Sequence, residues 1–597
     1  MGRHFCETYR KIAGTIGSSR PKPLRALRYL AAITLASTVT TVAPNAQTAS
    51  QVTPSTLQPD QQRLQGALVF SGQPGLEAPV GAEELSVTLS GVTIEGALPG
   101  MEATHRTVER RLTGRRIPVV EIFRAAQDLE AAYAREGFVL ARVVLPAQTL
   151  LDGGRLRLVV VDGFIERTDL AAVPTPVRNR IDLLTRPLVG RPGLTLGVIE
   201  RRLLLAGDTP GVALTSALAT GSQPGGTVLA FDAKYRRFTG SIAADNTLSD
   251  ELGDWAVILG LEANNPFGLG EVIYFRFAGH PGGSEDGVGG LFDDRPQMRS
   301  IAAGAVVPIG TDGLAFGVEA VQSNTTPEVA GLQTASEFRR LSLRLSYPWI
   351  RSRELDVGTD LIFDIQSEDL AALEPAERLS EDDIGVLRVA ANARRAFESG
   401  ATLAGRVVFS LGVDAFGARG ADDVSGPVGL SREGADASFR KLELTVDYLH
   451  PVHEHLAFAL HARAQTSFGD PLVRSEQIGI ASFQELSTFD AGTLGGDSGW
   501  VVRADVLSPW AVSTHTFPAA RITPYAFAAT GALYLEQPTG PEVSTLRASS
   551  LGIGVEFSTV LDPAFSSATL TAEYGRAFRD DGEADENRFT LVGSYRF

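Results

Sequence analysis

The chain has 597 residues, a net charge of −16, 62 glycines, three methionines and a single cysteine. That length calls for more than one hydrophobic core, and abundant glycine with scarce methionine suits strands and turns better than helices. The acidic excess argues against nucleic acid as a partner, because a phosphate-binding surface needs a basic stripe.

Residues 1–46 read as an export signal peptide. Arg3, Arg10, Lys11, Arg20, Lys22, Arg25 and Arg28 stand against one acid, Glu7, and an apolar run over 29–43 ends near small Ala43 and Ala46. Cys6 lies in this stretch, so the exported chain is expected to carry no thiol, as suits the periplasm or outer membrane. No later run of about 18 apolar residues offers a membrane-spanning helix, which leaves a periplasmic, secreted or β-barrel protein. Residues 47–80, rich in Gln, Pro, Thr and Ser, are expected to form a linker with at most a helical turn at 60–64.

Residues 81–166 pattern as a compact α/β module. Leu85, Val87 and Leu89 alternate as a first strand, and Ile122, Ala126, Leu129 and Tyr133 share one face of a helix over 119–136 that Gly137 ends. Strands are expected at 138–145 and 155–161. Residues 167–232 read as a second α/β module, in which Thr195 is placed to cap a helix carrying Leu196, Ile199 and Leu203 on one face.

From residue 233 to 597 the hydrophobic period is two. Leu442, Leu444, Val446 and Tyr448 alternate with Lys441, Glu443, Thr445 and Asp447, and Leu551, Ile553, Val555 and Phe557 alternate with Gly552, Gly554 and Glu556. About 16 such segments of roughly 9–11 residues suit tilted strands crossing a bilayer. Turns at 308–312 and 451–454 are short, whereas 281–296, 364–382, 414–438 and 469–498 are expected to be long loops, the asymmetry of an outer-membrane barrel. Arg344, Lys441, Glu443, Arg463, Arg503, Asp505 and Glu573 would then line a wet lumen.

No catalytic constellation emerges, so no enzyme activity, cofactor or metal is expected. Gly496-Asp497-Ser498-Gly499 has the look of a serine-nucleophile segment, but the Gly-Pro that follows in such proteases is missing and Trp500 begins a strand instead. His450, His453 and His455 have metal-ligand spacing yet sit at a polar turn. The acidic run Gly282-Gly283-Ser284-Glu285-Asp286 with Asp293 and Asp294 reads as a solvated loop.

One long run carries a family resemblance. Tyr133-x-x-x-Gly137-Phe138-Val139-Leu140-Ala141-Arg142-Val143-Val144-Leu145-Pro146-Ala147-Gln148, then Asp152-Gly153 and Asp162-Gly163-Phe164-Ile165-Glu166, resembles the first POTRA domain of two-partner secretion transporters. Ile199-Glu200-Arg201-Arg202-Leu203-Leu204-Leu205 with Asp208-x-Pro210-Gly211-Val212 is similar to the second, and Asn265-Pro266-Phe267-Gly268-Leu269-Gly270-Glu271 to the first barrel hairpins. The resemblance implies two POTRA domains followed by a 16-stranded antiparallel transmembrane β-barrel at residues 233–597. It implies a monomer in the bacterial outer membrane that captures a large, β-helical, adhesin- or haemolysin-like exoprotein and passes it unfolded. Capture would fall on the strand residues Phe138, Val139, Leu140, Ala141, Arg142 and Val143 beside Ile122 and Leu129 of the helix. Tyr595 and Phe597 resemble the terminal signal read by the barrel-assembly machinery. Other readings are an assembly factor of the same superfamily, a solute porin, or a branch impaired in transport.

The resemblance also makes the loop 469–498 an inward-folded pore loop. Its family pattern, an arginine within a Val-Arg-Gly-Tyr motif, is replaced by Leu486-Ser487-Thr488-Phe489, ahead of Asp490-Ala491-Gly492 and the Asp497 motif. The strand motif that would supply a partner aspartate reads Phe527-Ala528-Ala529-Thr530-Gly531. Both charges are absent together, so the loop is expected to be held by neutral contacts through Leu486, Phe489 and Trp500. The family's N-terminal plug helix has no counterpart in the 47–79 pattern.

Overall fold

The computed structural model describes residues 47–59, 69–70, 78–282, 289–424, 426–513, 519–540, 542–582 and 585–597. The export-signal segment 1–46 and the turn expected at 60–64 lie outside them.

The first module comprises β1 (Ser86–Thr88), β2 (Gly91–Glu95), α1 (Glu102–Leu112), β3 (Arg116–Pro118), α2 (Val119–Arg135), β4 (Arg142–Val144) and β5 (Arg155–Val161). β5 lies between parallel β2 and antiparallel β4, so β4 is an edge, while β1 pairs with β3. Ile122, Ala126, Leu129 and Tyr133 of α2 are fully buried on the sheet, as their helical spacing dictates. Burial holds the His105 imidazole below its ordinary range, where it meets the Tyr133 hydroxyl at 2.8 Å.

The strand expected over 138–145 is strand only at Arg142–Val144. After α2 the chain turns through Gly137 at φ +91°, and Phe138 and Ala141 donate backwards to Tyr133 and Phe138 carbonyls. Leu140 then leaves its own module to join the core of the next.

That second module comprises β6 (Phe164–Ala172), α3 (Thr175–Thr185), α4 (Leu196–Gly207), β7 (Val212–Thr220) and β8 (Gly226–Tyr235). β8 lies between β7 and β6, and the linker residues Val69–Phe70 add parallel to the outer edge of β7. Thr195 occupies the helix N-cap in extended geometry but makes no side-chain capping bond. The Leu196 amide there donates to Gly137 of the first module at 2.7 Å.

The barrel follows as β9 (Phe238–Asp245), β10 (Ala256–Asn264), β11 (Val272–Gly279), β12 (Met298–Ile309), β13 (Leu314–Thr325) and β14 (Thr334–Arg351). It continues through β15 (Leu355–Ala372), β16 (Glu377–Ala396), β17 (Thr402–Val413), β18 (Arg440–His453) and β19 (Leu456–Thr466). The last strands are β20 (Ser498–Leu507), β21 (Ala520–Tyr534), β22 (Thr545–Asp562), β23 (Ser566–Arg579) and β24 (Asn587–Arg596). These 16 strands are antiparallel and closed, with β9 pairing β24 from Ser241↔Arg596 to Asp245↔Val592. Phe597 and Gly240 exchange both backbone hydrogen bonds, extending that seam.

Among the described residues no helix is long and apolar enough to cross a membrane; the crossing is made by strands. Leu343, Leu444, Phe458, Ile553 and Phe589 are exposed on the outer face, while Glu319, Arg340, Lys441, Arg503 and Glu573 are buried within. Closure leaves no edge, the only way a sheet can lie in lipid. The long loop expected at 364–382 is instead paired: β15 runs to Ala372 and β16 resumes at Glu377. Polar residues on both faces end the alternation there although the hydrogen-bond ladder continues past the membrane.

Arginines fasten the second module to the barrel. Arg201 donates to the Asp312, Pro348 and Trp349 carbonyls, Arg202 to Thr311 and Asp312, and Arg351 bonds Asp208 at 2.6 Å. The family-like Ile199 to Leu205 motif thus places its arginines on periplasmic barrel turns, while Ile199 and Leu203 fill the module core.

Candidate functional site

The loop between β19 and β20 folds into the barrel. Its chain makes a turn at Arg474–Glu476, then a short ladder of Ile478–Gly479 against Gly495–Gly496. Ile478, Ile480, Leu486 and Phe489 form an apolar cluster with Val501, Ala529 and Leu533 of the wall. Leu486 and Phe489 thus pack between loop and wall. Trp500 does not: it is 39% exposed on the outer face, because its even-numbered neighbours on β20 share the lipid side.

The remaining hold is ionic, which corrects the expectation of neutral contacts. Glu476 of the loop is 1% exposed and binds Arg388 at 2.5 Å and Lys441 at 2.8 Å. Glu485 binds Arg463 at 3.1 Å, beside His461. The loop supplies carboxylates and the wall supplies cations. At the positions where the family motif places an arginine and an aspartate, Ser487 and Ala529 leave room for a different arrangement. Arg503, the register partner of Ala529 across β20 and β21, donates to the Ser487 hydroxyl at 2.9 Å and to Glu573 at 2.7 Å. Ser487 also donates to Glu573, and Arg503 lies 4.2 Å over the Phe527 ring. The guanidinium thus comes from the wall, already neutralised, and the loop tip contributes a hydroxyl.

The other motif positions meet nearby. Thr488 bonds the Ser550 hydroxyl, and Asp490 pairs with Arg588. Gly492, at φ +79°, has no space for a Cβ beside the Gln51 carbonyl, and a Cβ at Gly531 would crowd the Trp500 carbonyl. Asp497 is fully buried and accepts from Leu472, Gln477, Arg432 and Glu536, joining three extracellular loops. That structural role accounts for the serine-nucleophile lookalike. Tyr595 and Phe597 stack with ring centroids 5.7 Å apart at the closing seam, on or just past the strand whose Arg588 and Thr590 meet the loop.

A second segment shares the lumen. Residues 47–59, expected to be linker, run extended past buried wall residues, with one helical turn at Ser50–Val52. Gln47 bonds Ala491 of the pore loop and Ser249, and Gln58 reaches Arg344. This segment therefore occupies the lumen with, among the described residues, no helix longer than that one turn. Its Pro54 and Pro59 and its β-branched Val52 and Thr53 disfavour helix, so no helical period was there to see. Below it, a cavity of about 760 Å³ opens between barrel and second module, lined by Gln58, Arg180, Glu262, Arg344, Asp360 and Arg406.

The expected capture surface divides. Phe138 packs on the first core, and Val139 and Leu140 pack on the second. Ile122, Leu129, Ala141 and Val143 are buried in or beside the first core. Arg142 and Val143 alone lie on the edge strand, where Glu130 of α2 accepts the outward Val143 amide at 2.9 Å and meets Arg142 at 3.4 Å. Among the described residues no cluster of His, Cys, Asp and Glu gathers as a metal set. His450 bonds Tyr448, and His455 bonds Pro509 and stacks on Trp510.

The family model for haemolysin secretion/activation proteins ShlB/FhaC/HecB matches residues 225–579, and that for ShlB-type POTRA domains matches residues 87–163. No curated protein sequence matches the chain. Among solved structures, CdiB from Escherichia coli superimposes with a TM-score of 0.66 at 18% identity, covering 92% of this chain and 94% of that one. CdiB from Acinetobacter baumannii gives 0.56 at 15% identity over 86% and 90%. With a POTRA module, a closed 16-stranded barrel and a family match over more than half its length, the chain belongs to the ShlB/FhaC/HecB family of haemolysin secretion/activation proteins, outer-membrane translocators of two-partner secretion with periplasmic POTRA domains.

Proposed function

We propose that this protein captures one large exported protein in the periplasm and passes it unfolded through the barrel, after the pore loop and residues 47–59 give way. The observation that carries this reading is the content of the lumen. Among the described residues it holds two segments that are not barrel strands and are fastened mainly by side chains, so they can leave without opening the wall. A solute porin has no need of the periplasmic modules or of that filling.

Capture is assigned to the edge of β4, where an extended segment of the partner would add by main-chain hydrogen bonds. Glu130 occupies the outward Val143 amide, so the incoming strand must replace that carboxylate. The partner is a β-helical exoprotein of adhesin or haemolysin type, and the barrel acts as a monomer inserted by the barrel-assembly machinery.

The test is to look for a large exported protein encoded beside this one, whose absence weakens the reading, and to measure its export. Glu130→Ala frees the Val143 amide and is expected to raise co-purification of the partner. Val143→Pro removes the amide and is expected to cut export at least tenfold while heat-modifiable mobility on gels still reports a folded barrel. Export unaffected by both variants contradicts capture at this edge.

A further inference from the structure

The way residues 47–59 are held points to what the lumen wall recognises. Five backbone atoms of this segment bond wall side chains. The Gln47 carbonyl accepts from Thr325 at 3.1 Å, and the Pro54 carbonyl from Arg340 at 3.1 Å. The Ala49, Ser50 and Leu57 amides donate to Ser336, Glu368 and Glu319 at 3.3, 3.0 and 3.0 Å. All of these partners lie on the adjacent strands β13, β14 and β15. Glu368 is 3% exposed and accepts from Ser50 of the segment and from Ser336 of the wall. Buried Arg340 Nε and Arg344 Nε have no hydrogen-bond partner among the described residues, so the same wall holds spare donors.

We infer that β13, β14 and β15 form a binding track for an extended polypeptide backbone, which residues 47–59 occupy at rest and an exported chain takes during passage. The inference rests on the translocation reading above. An unfolded chain drawn into a narrow lumen loses water from its amides, and each one left unpaired opposes entry. The ladder neighbours already use the wall's own backbone, so only side chains can meet that demand. A row offering donors to carbonyls and acceptors for amide N–H groups does so without reading sequence, as passage of a long, varied chain requires.

The experiment uses the full chain with Thr53→Cys and Ser323→Cys, whose wild-type hydroxyls lie 2.7 Å apart. In planar bilayers the oxidised protein is expected to stay closed and the reduced protein to open in bursts. Two synthetic peptides are then added to the reduced protein: residues 47–59, and a scramble with both prolines kept in place. Both are expected to block open bursts at concentrations within about twofold of each other, as backbone recognition demands. Glu368→Gln, or Glu319→Gln with Arg340→Gln, is expected to raise both blocking concentrations at least tenfold. The resident segment is weakened by the same changes, which by competition alone would lower those concentrations. Block by the native peptide only, block by neither, or no shift in the variants overturns the track. Export of the partner is scored separately: block without export overturns translocation, and export without block overturns the track alone.

Discussion

Arg388 and Lys441 project from the wall into the lumen and converge on one carboxylate, Glu476, which the loop brings to them. Asp364 adds a second acceptor for Arg388 at 2.7 Å. Removing one partner from such a buried group leaves the others uncompensated, at a cost of roughly 3–5 kcal/mol. Glu476→Gln is therefore expected to raise spontaneous opening in planar bilayers at least tenfold. Glu485→Gln is expected to do less, because Arg463 keeps Glu443 at 3.4 Å; equal conductance traces for Glu476→Gln and the parent would contradict the ionic hold. The sequence exposed the missing charges at Ser487 and Ala529 but not their replacement. Alternation tells which face Arg503 and Glu573 occupy, and only the register of β20 on β21, with the course of the loop, brings them to Ser487.

At the scale of elements, the legible parts were those with a sustained period. The helix α2 and the barrel strands announce themselves because one face is buried or lies in lipid. Three places lacked that signal. Phe138 to Ala141 are apolar enough to read as strand, yet their apolar contacts are divided between two cores. Strands β15 and β16 continue beyond the membrane where both faces are polar. Residues 47–59 make backbone contacts, which leave no pattern in side-chain type. The docking of the second module was hidden for a related reason: Arg201 and Arg202 bond mainly carbonyls, which every sequence supplies. Hydrogen bonds from charged donors are worth about 1.5–3 kcal/mol each. Arg201→Ala with Arg202→Ala is expected to loosen the module on the barrel and broaden the distance distribution between spin labels placed on α3 and on the β22–β23 turn. A distribution as narrow as the parent's would show that Arg351–Asp208 suffices alone.

For the whole molecule, the architecture is a closed wall with a filling that is no part of it. The wall satisfies its backbone through a continuous ladder and needs nothing from the lumen. The filling consists of the pore loop, anchored by Glu476, Glu485 and the Arg503–Glu573 pair, and of residues 47–59, anchored on β13 to β15. The two touch through Gln47 with Ala491 and at Gly492, so release of one loosens the other. Family membership, barrel size and the two modules were within reach of the sequence, because lipid and a packed core impose periods on it. Of the lumen's contents, the inward loop was reached through the resemblance, and the seating of residues 47–59 was not, since a wet interior accepts many polar partners.

The most direct test of this account is export by the full chain carrying Thr488→Cys and Ser550→Cys, positions whose hydroxyls bond in the parent. Oxidised, the loop tip is tied to β22, and release of the exported partner is expected to fall to background. Reduction is expected to restore it to the parent's level. Undiminished release with the disulfide formed would show that the exported chain passes without the loop leaving the lumen, and would contradict the account.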